Sequence, residues 1–184
     1  MVWNNLSLRL LAKPFMKELA RTTKESVYLT VREDLYGVYV EAVNSPHALR
    51  VMEPIGMRLP LYRGASKKVI LAHLPLRTQQ EVFRQIPEVF RCDEVERITE
   101  ELVSVRDQGY AVSYGETTEG TVGLAVAIFS WENKVVGSLS LAGPELRFQK
   151  SRMPEMIYQV RLTAMKISEE LGWIKAKPAA SRRK

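Results

Sequence analysis

The side chains capable of chemistry are few and scattered. His47 and His73 have neither a serine elbow nor metal-ligand spacing around them, and His73 stands near a predicted helix end, where an imidazole interacts with the last carbonyls. Cys92 lies beside Arg91 at a predicted helix start, a setting that lowers a thiol pKa, yet no resolving cysteine or partner histidine is near it in sequence. Glu116 and Glu119 fall between two strands, with the spacing of a paired acid and base or of a solvated turn. None of this composes a catalytic constellation. The expectation is a protein that is not an enzyme and needs no metal or cofactor.

Binding chemistry is better represented. In Thr121 to Phe129 one face reads Val122, Leu124, Val126, Ile128, while the other reads Thr121, Gly123, Ala125, Ala127. Lys134 to Ala142 repeats this, with Val135, Leu139 and Leu141 against Ser138, Ser140 and Ala142. Paired with their small sides together, these strands floor a cavity for a small molecule, or else they receive a closely packed helix. Gly64-Ala65-Ser66 at a helix start offers free N–H groups to a carboxylate or phosphate, or is merely small at a helix start.

The elements that must position these residues follow from periodicity. Asn5 to Thr22 reads as helix, broken into two short pieces at Pro14. Ser26 to Arg32 and Gly37 to Val43 alternate as a hairpin turning near Asp34, and a third extended piece lies around Leu49 to Met52, before a loop over residues 56–60. A helix from Gly64 stops at Leu74-Pro75. Thr78-Gln-Gln-Glu81 and Asp93-Glu-Val-Glu96 have the form of capping boxes. The second opens a helix with Val95, Ile98, Leu102 and Val105 on its apolar stripe, ended by Gly109. Strands at Tyr110 to Tyr114, Thr121 to Phe129 and Lys134 to Ala142 precede a last helix from Ser151, capped by Gly172. The sum is one α+β domain with an antiparallel sheet of five or six strands flanked by helices.

With 184 residues, 46% hydrophobic, the chain can bury a core unaided. One cysteine fits a reducing, cytoplasmic setting, and the longest apolar run, Val122 to Phe129, is far short of a membrane span. The net charge of +6 is concentrated in residues 175–184, where Lys175, Lys177, Arg182, Arg183 and Lys184 meet no acid, so residues 1–174 are nearly neutral. That segment reads as a basic, disordered tail rather than a selected phosphate site.

Pro60-Leu61-Tyr62 followed by Ala65, Lys68, Leu71 and Ala72 forms the first of several motifs in register. The others are Gly109-Tyr110-Ala111 with Glu116 and Gly120, Ala125 to Phe129, and Ser140 through Gly143-Pro144. Over about residues 7–173 this order resembles the effector-binding domain of IclR-family transcriptional regulators. The resemblance implies a GAF-like or PAS-like fold, a ligand pocket on the sheet and self-association as a dimer or tetramer. Residues 1–12 would be the end of a linker helix and residues 13–174 the effector-binding domain. The family's winged helix-turn-helix is absent from the sequence, so DNA would be bound only through such a missing N-terminal domain.

Carried over residue by residue, the resemblance puts Ala48, Val51 and Leu59 on an apolar wall and Ala65 and Ser66 at the helix start. It puts Ser113, Thr121, Gly123, Ser140 and Ala142 along the strands. Members that bind small oxo-acids often have an aspartate where this chain has Ser113, a cysteine at Gly123 and a serine at Ala142; Ala127 replaces a usual proline. These departures imply a bulky or aromatic organic acid, its carboxylate on the N–H groups of Ala65 and Ser66 with Ser140. The competing classes are an enzyme using Cys92 or a serine, and a stand-alone GAF-like binding or oligomerisation module without a transcriptional role.

Overall fold

Alternating apolar residues build the hairpin of β1 (Ser26–Glu33) and β2 (Tyr36–Val43), and Asp34 supplies the left-handed turn at φ 54°. The computed structural model describes residues 2–174, the side chains of residues 2–5 excepted; the basic segment 175–184 lies outside the described residues. Four further strands, β3 (Arg58–Pro60), β4 (Ala111–Tyr114), β5 (Thr121–Phe129) and β6 (Val135–Pro144), complete a six-stranded antiparallel sheet in the order β3-β2-β1-β6-β5-β4. The helices are α1 (Val2–Thr23), α2 (Ala65–Leu71), α3 (Leu76–Phe83), α4 (Arg91–Gln108) and α5 (Met153–Glu170).

The lopsided strands divide the molecule into two cores. Val122, Leu124, Leu139 and Leu141 face α1 and α5, whose Leu8, Met16, Val160 and Ile167 complete the larger core. Ala125 and Ala127 face the opposite way, beneath Ala65 and Val69 of α2 and Ala72 at its end, and that core extends to Val82 of α3 and Ile98 and Leu102 of α4. Small residues let α2 lie close on the sheet, and the Ser138 hydroxyl fastens it by donating to the Ser66 carbonyl at 2.7 Å. Fully buried Glu25, just before β1, accepts two hydrogen bonds at 2.7 Å from Arg147, which follows β6.

Several local expectations are corrected. α1 runs unbroken through Pro14. Pro14 faces solvent, so the Leu10 carbonyl that loses its helical partner can bond water, while Ala12, Met16 and Leu19 hold the buried face in register. The segment 49–52 is not extended into the sheet. Leu49 and Met52 are exposed, and the Val51 carbonyl accepts from Ser26 Oγ at 2.9 Å and Tyr28 Oη at 3.0 Å instead of from a ladder. The third strand is Arg58–Pro60, within the stretch expected to be loop. Neither capping box forms: α3 starts two residues before Thr78, directly after Pro75, and α4 grows out of a 3₁₀ turn at Glu88–Phe90, so Asp93 lies within its first turn. Gly109 and Gly172 do adopt positive φ at the helix ends, at 78° and 80°.

Candidate ligand-binding site

Where α2 begins, it leaves the sheet uncovered at the Thr121 end of β5. The result is a cavity with Thr121, Gly123, Ser140 and Ala142 in its floor, Ser113 at its side, and Gly64, Ala65, Ser66 and Lys67 above. Tyr28, Tyr39, Val51 and Glu53 close it from the β1–β2 side, and Glu116 and Thr117 reach it from the β4–β5 connection. Both readings of the short side chains therefore hold, at opposite ends of one strand: helix packing over Ala125 and Ala127, open space over Thr121 and Gly123.

Of the residues expected to bind ligand, Val51, Ala65, Ser66, Ser113, Thr121, Gly123, Ser140 and Ala142 are gathered here. Ala48 and Leu59 are not among the lining residues. Ala48 is exposed on the loop between β2 and β3, where Val51 and Glu53 form the wall instead. Leu59 pairs with Gly37 in the edge strand β3, which the sheet order separates from the cavity floor by β2 and β1.

One of the two N–H donors expected to hold an anion, that of Ala65, is engaged within the fold. Ala65 N–H donates to Ser113 Oγ at 3.0 Å, and Gly64 N–H donates to Glu116 Oε2 at 3.0 Å. Glu116 is thus no solvated turn residue: its other oxygen accepts from Lys68 Nζ at 2.6 Å, and Lys68 also pairs with Glu101, which holds Arg97. Glu119 remains exposed. His73 likewise departs from expectation. Its ring stands edge-on to Phe129 at 5.0 Å and burial draws its pKa down, while Arg106 donates to the Ala72 carbonyl at the end of α2.

The residues missed by sequence reasoning are Lys67, Tyr28, Tyr39 and Glu53. Lys67 is 1% exposed, its ammonium 4.2 Å from the centroid of the Tyr39 ring and donating to the Tyr39 hydroxyl at 2.5 Å. Tyr39 in turn packs on Tyr28 with ring centroids 5.1 Å apart. Burial pulls the Lys67 ammonium down to about 8, against the upward pull of Glu53 and Glu116, and burial pushes the Tyr39 hydroxyl up to about 12. The one signal in the sequence was Gly37, a glycine inside a strand, which marks close approach by another group: a Cβ there would lie 2.5 Å from Lys67 Cγ.

The lysine stem and the tyrosine rings make the cavity narrower than the residue types suggested. Its free volume is about 30 Å³, room for about two waters. A Cβ at Gly123 would already sit 3.0 Å from Ser113 Oγ and 3.6 Å from Ala65 Cβ, so that glycine accommodates its neighbours and does not widen the space for a bulky or aromatic group. Among the described residues no group of His, Cys, Asp or Glu side chains could hold a metal ion, and no helix is long and apolar enough to cross a membrane.

An antiparallel sheet between two helical layers, with a polar cavity at one end of its shorter-side-chain face, defines the GAF-like class of domain. The chain matches the bacterial transcriptional regulator IclR C-terminal family over residues 1–169, and it belongs to that family. It is 33% identical to the HTH-type transcriptional regulator KipR of Bacillus subtilis, over 94% of this chain and 71% of that protein. It is 34% identical to the HTH-type transcriptional regulator KdgR of Escherichia coli, over 86% of this chain but only 62% of that protein. Among solved structures, an IclR-family transcriptional regulator from Rhodococcus superposes with a TM-score of 0.79 at 30% identity, covering 86% of this chain and 62% of that one. The C-terminal domain of a transcriptional regulator from Vibrio cholerae gives 0.74 at 27% identity, covering 84% and 93%. These relatives are transcriptional regulators, not enzymes.

Proposed function

We propose that this chain is the effector-sensing part of an IclR-type transcriptional regulator, working in the cytoplasm. A compact organic molecule enters the cavity beneath the start of α2, and its binding shifts the geometry of a homo-oligomer, dimer or tetramer. In a longer protein of the relatives' kind, that shift acts on DNA bound by an N-terminal domain. Such coupling requires a ligand that binds one arrangement better than the other, since equal affinity for both shifts nothing. The observation that carries this reading is the cavity itself: polar groups converge on uncovered short side chains in a family of transcriptional regulators.

Mass spectrometry of the purified protein under native and denaturing conditions tests it. A small molecule that leaves only on denaturation is expected, and it should be missing from Ala142→Leu, which fills the floor of the cavity. Retention of the same molecule by a folded Ala142→Leu would place it elsewhere and overturn the assignment. Light scattering with and without the compound then reads the change in assembly.

A further inference from the structure

Two adjacent lysines on α2 are equally buried, each 1% exposed, but their partners differ. Lys68 meets the carboxylates of Glu101 and Glu116. Lys67, among the described residues, forms no ion pair; its ammonium meets the ring and the neutral hydroxyl of Tyr39. A buried ammonium with no carboxylate in direct contact is costly, and proteins retain one where something compensates it. Here the fold makes room for it: β2 carries glycine at position 37, where any side chain would collide with the Lys67 stem. Lys67 lines the cavity, its ammonium lying between the lining residues Tyr39 and Gly64, and the backbone donors at Gly64 and Ala65 are already taken by Glu116 and Ser113.

We propose that Lys67 is the residue that recognises the ligand, and that the ligand is a compact organic anion whose carboxylate ion-pairs with its ammonium. This rests on the sensing role argued above and adds the ligand's chemical class and its pH dependence. The titratable and charged groups facing Lys67 are Tyr28 from β1, Tyr39 from β2, Glu53 from the β2–β3 loop, Glu116 from the β4–β5 connection and Arg63 ahead of α2. The two acids keep the ammonium charged near neutrality, and burial leaves it ready to lose its proton a little above. An anion binds the charged form, so affinity falls as pH rises through about 8.

Calorimetry with formate, acetate, glyoxylate, pyruvate and benzoate, each beside its neutral amide or ester, tests this on the wild type and on Lys67→Met. At least one small acid should bind the wild type at pH 7, bind roughly thirtyfold more weakly at pH 9.5, and bind Lys67→Met at least tenfold more weakly, an ion pair lost to an isosteric apolar stem. Melting curves establish that the variant is folded. An acid held equally by both proteins overturns the role of Lys67 and leaves the sensing role standing. Preference for the neutral analogues, or no binding of any acid to the wild type, overturns the anionic class; the sensing role is judged separately, on the molecule that copurifies.

Discussion

At the scale of single residues, the buried Lys67 makes a prediction that needs no ligand. Its folded value of about 8 lies below the ordinary lysine value of 10.5, so the unfolded chain binds the extra proton between the two. The destabilisation from this charge is complete below about pH 8 and is relieved as pH rises beyond it. Tyr39 runs the other way: its hydroxyl, pushed up to about 12 from 10.0, favours the unfolded, ionised form once pH passes 10. The window that isolates Lys67 is therefore pH 8 to 10. Lys67→Met should be more stable than the wild type at pH 7, by on the order of 2 kcal/mol, and urea titrations should show that advantage shrinking across the window. A constant difference would mean that Lys67 is not desolvated. Its importance escaped the sequence because a lysine pair on a helix reads as a solvent stripe; only the packing of α2 against the β1–β2 hairpin, at Gly37 and Tyr39, buries it. Gly123, Ser140 and Ala142 were legible because a strand shows its faces by simple alternation.

At the scale of elements, period-two and period-3.6 patterns located the hairpin, β5, β6, α4 and α5 to within a few residues. Boundaries set by proline and capping chemistry were less legible. Pro75 and the 3₁₀ turn after Pro87 start α3 and α4 earlier than the boxed Thr78 and Asp93 imply, and the β2–β3 loop satisfies its carbonyls with side chains. α1 is the informative case. Packing of Ala12, Met16 and Leu19 outweighs the local cost of Pro14, whose ring removes one helical hydrogen bond. Restoring that bond with Pro14→Ala, on an exposed position with little else to disturb, should stabilise the protein by about 1–2 kcal/mol. A melting temperature unchanged or lowered would show that α1 is shaped around the proline rather than merely tolerating it.

At the scale of the whole molecule, charge is unevenly spread along the sequence. The five basic residues within 175–184 account for most of the +6 net charge. Any DNA binding by this chain alone should therefore be weak, sequence-independent and salt-sensitive, with log affinity falling against log salt at a slope of about −4 to −5 if all five meet phosphates. Electrophoretic or anisotropy titrations check this, and removal of residues 175–184 should abolish the binding. A sequence-selective complex would contradict it. The architecture itself was legible, since strand alternation and helix periodicity fix an α+β domain, but the width of the cavity was not. That width depends on Tyr28 and Tyr39, from the two strands of one hairpin, and on Lys67 of α2, which the fold brings against them.

β5 and β6 act as a partition between two rooms. Gly123 and Ala142, side by side in register, look into the cavity, while their neighbours Val122, Leu124 and Leu141 are set into the packing of α1 and α5. Interiors this dense give way by shifting rather than by compressing. A guest that wedges α2 away from its side of the wall must therefore be felt by the two long helices on the other, though it touches neither.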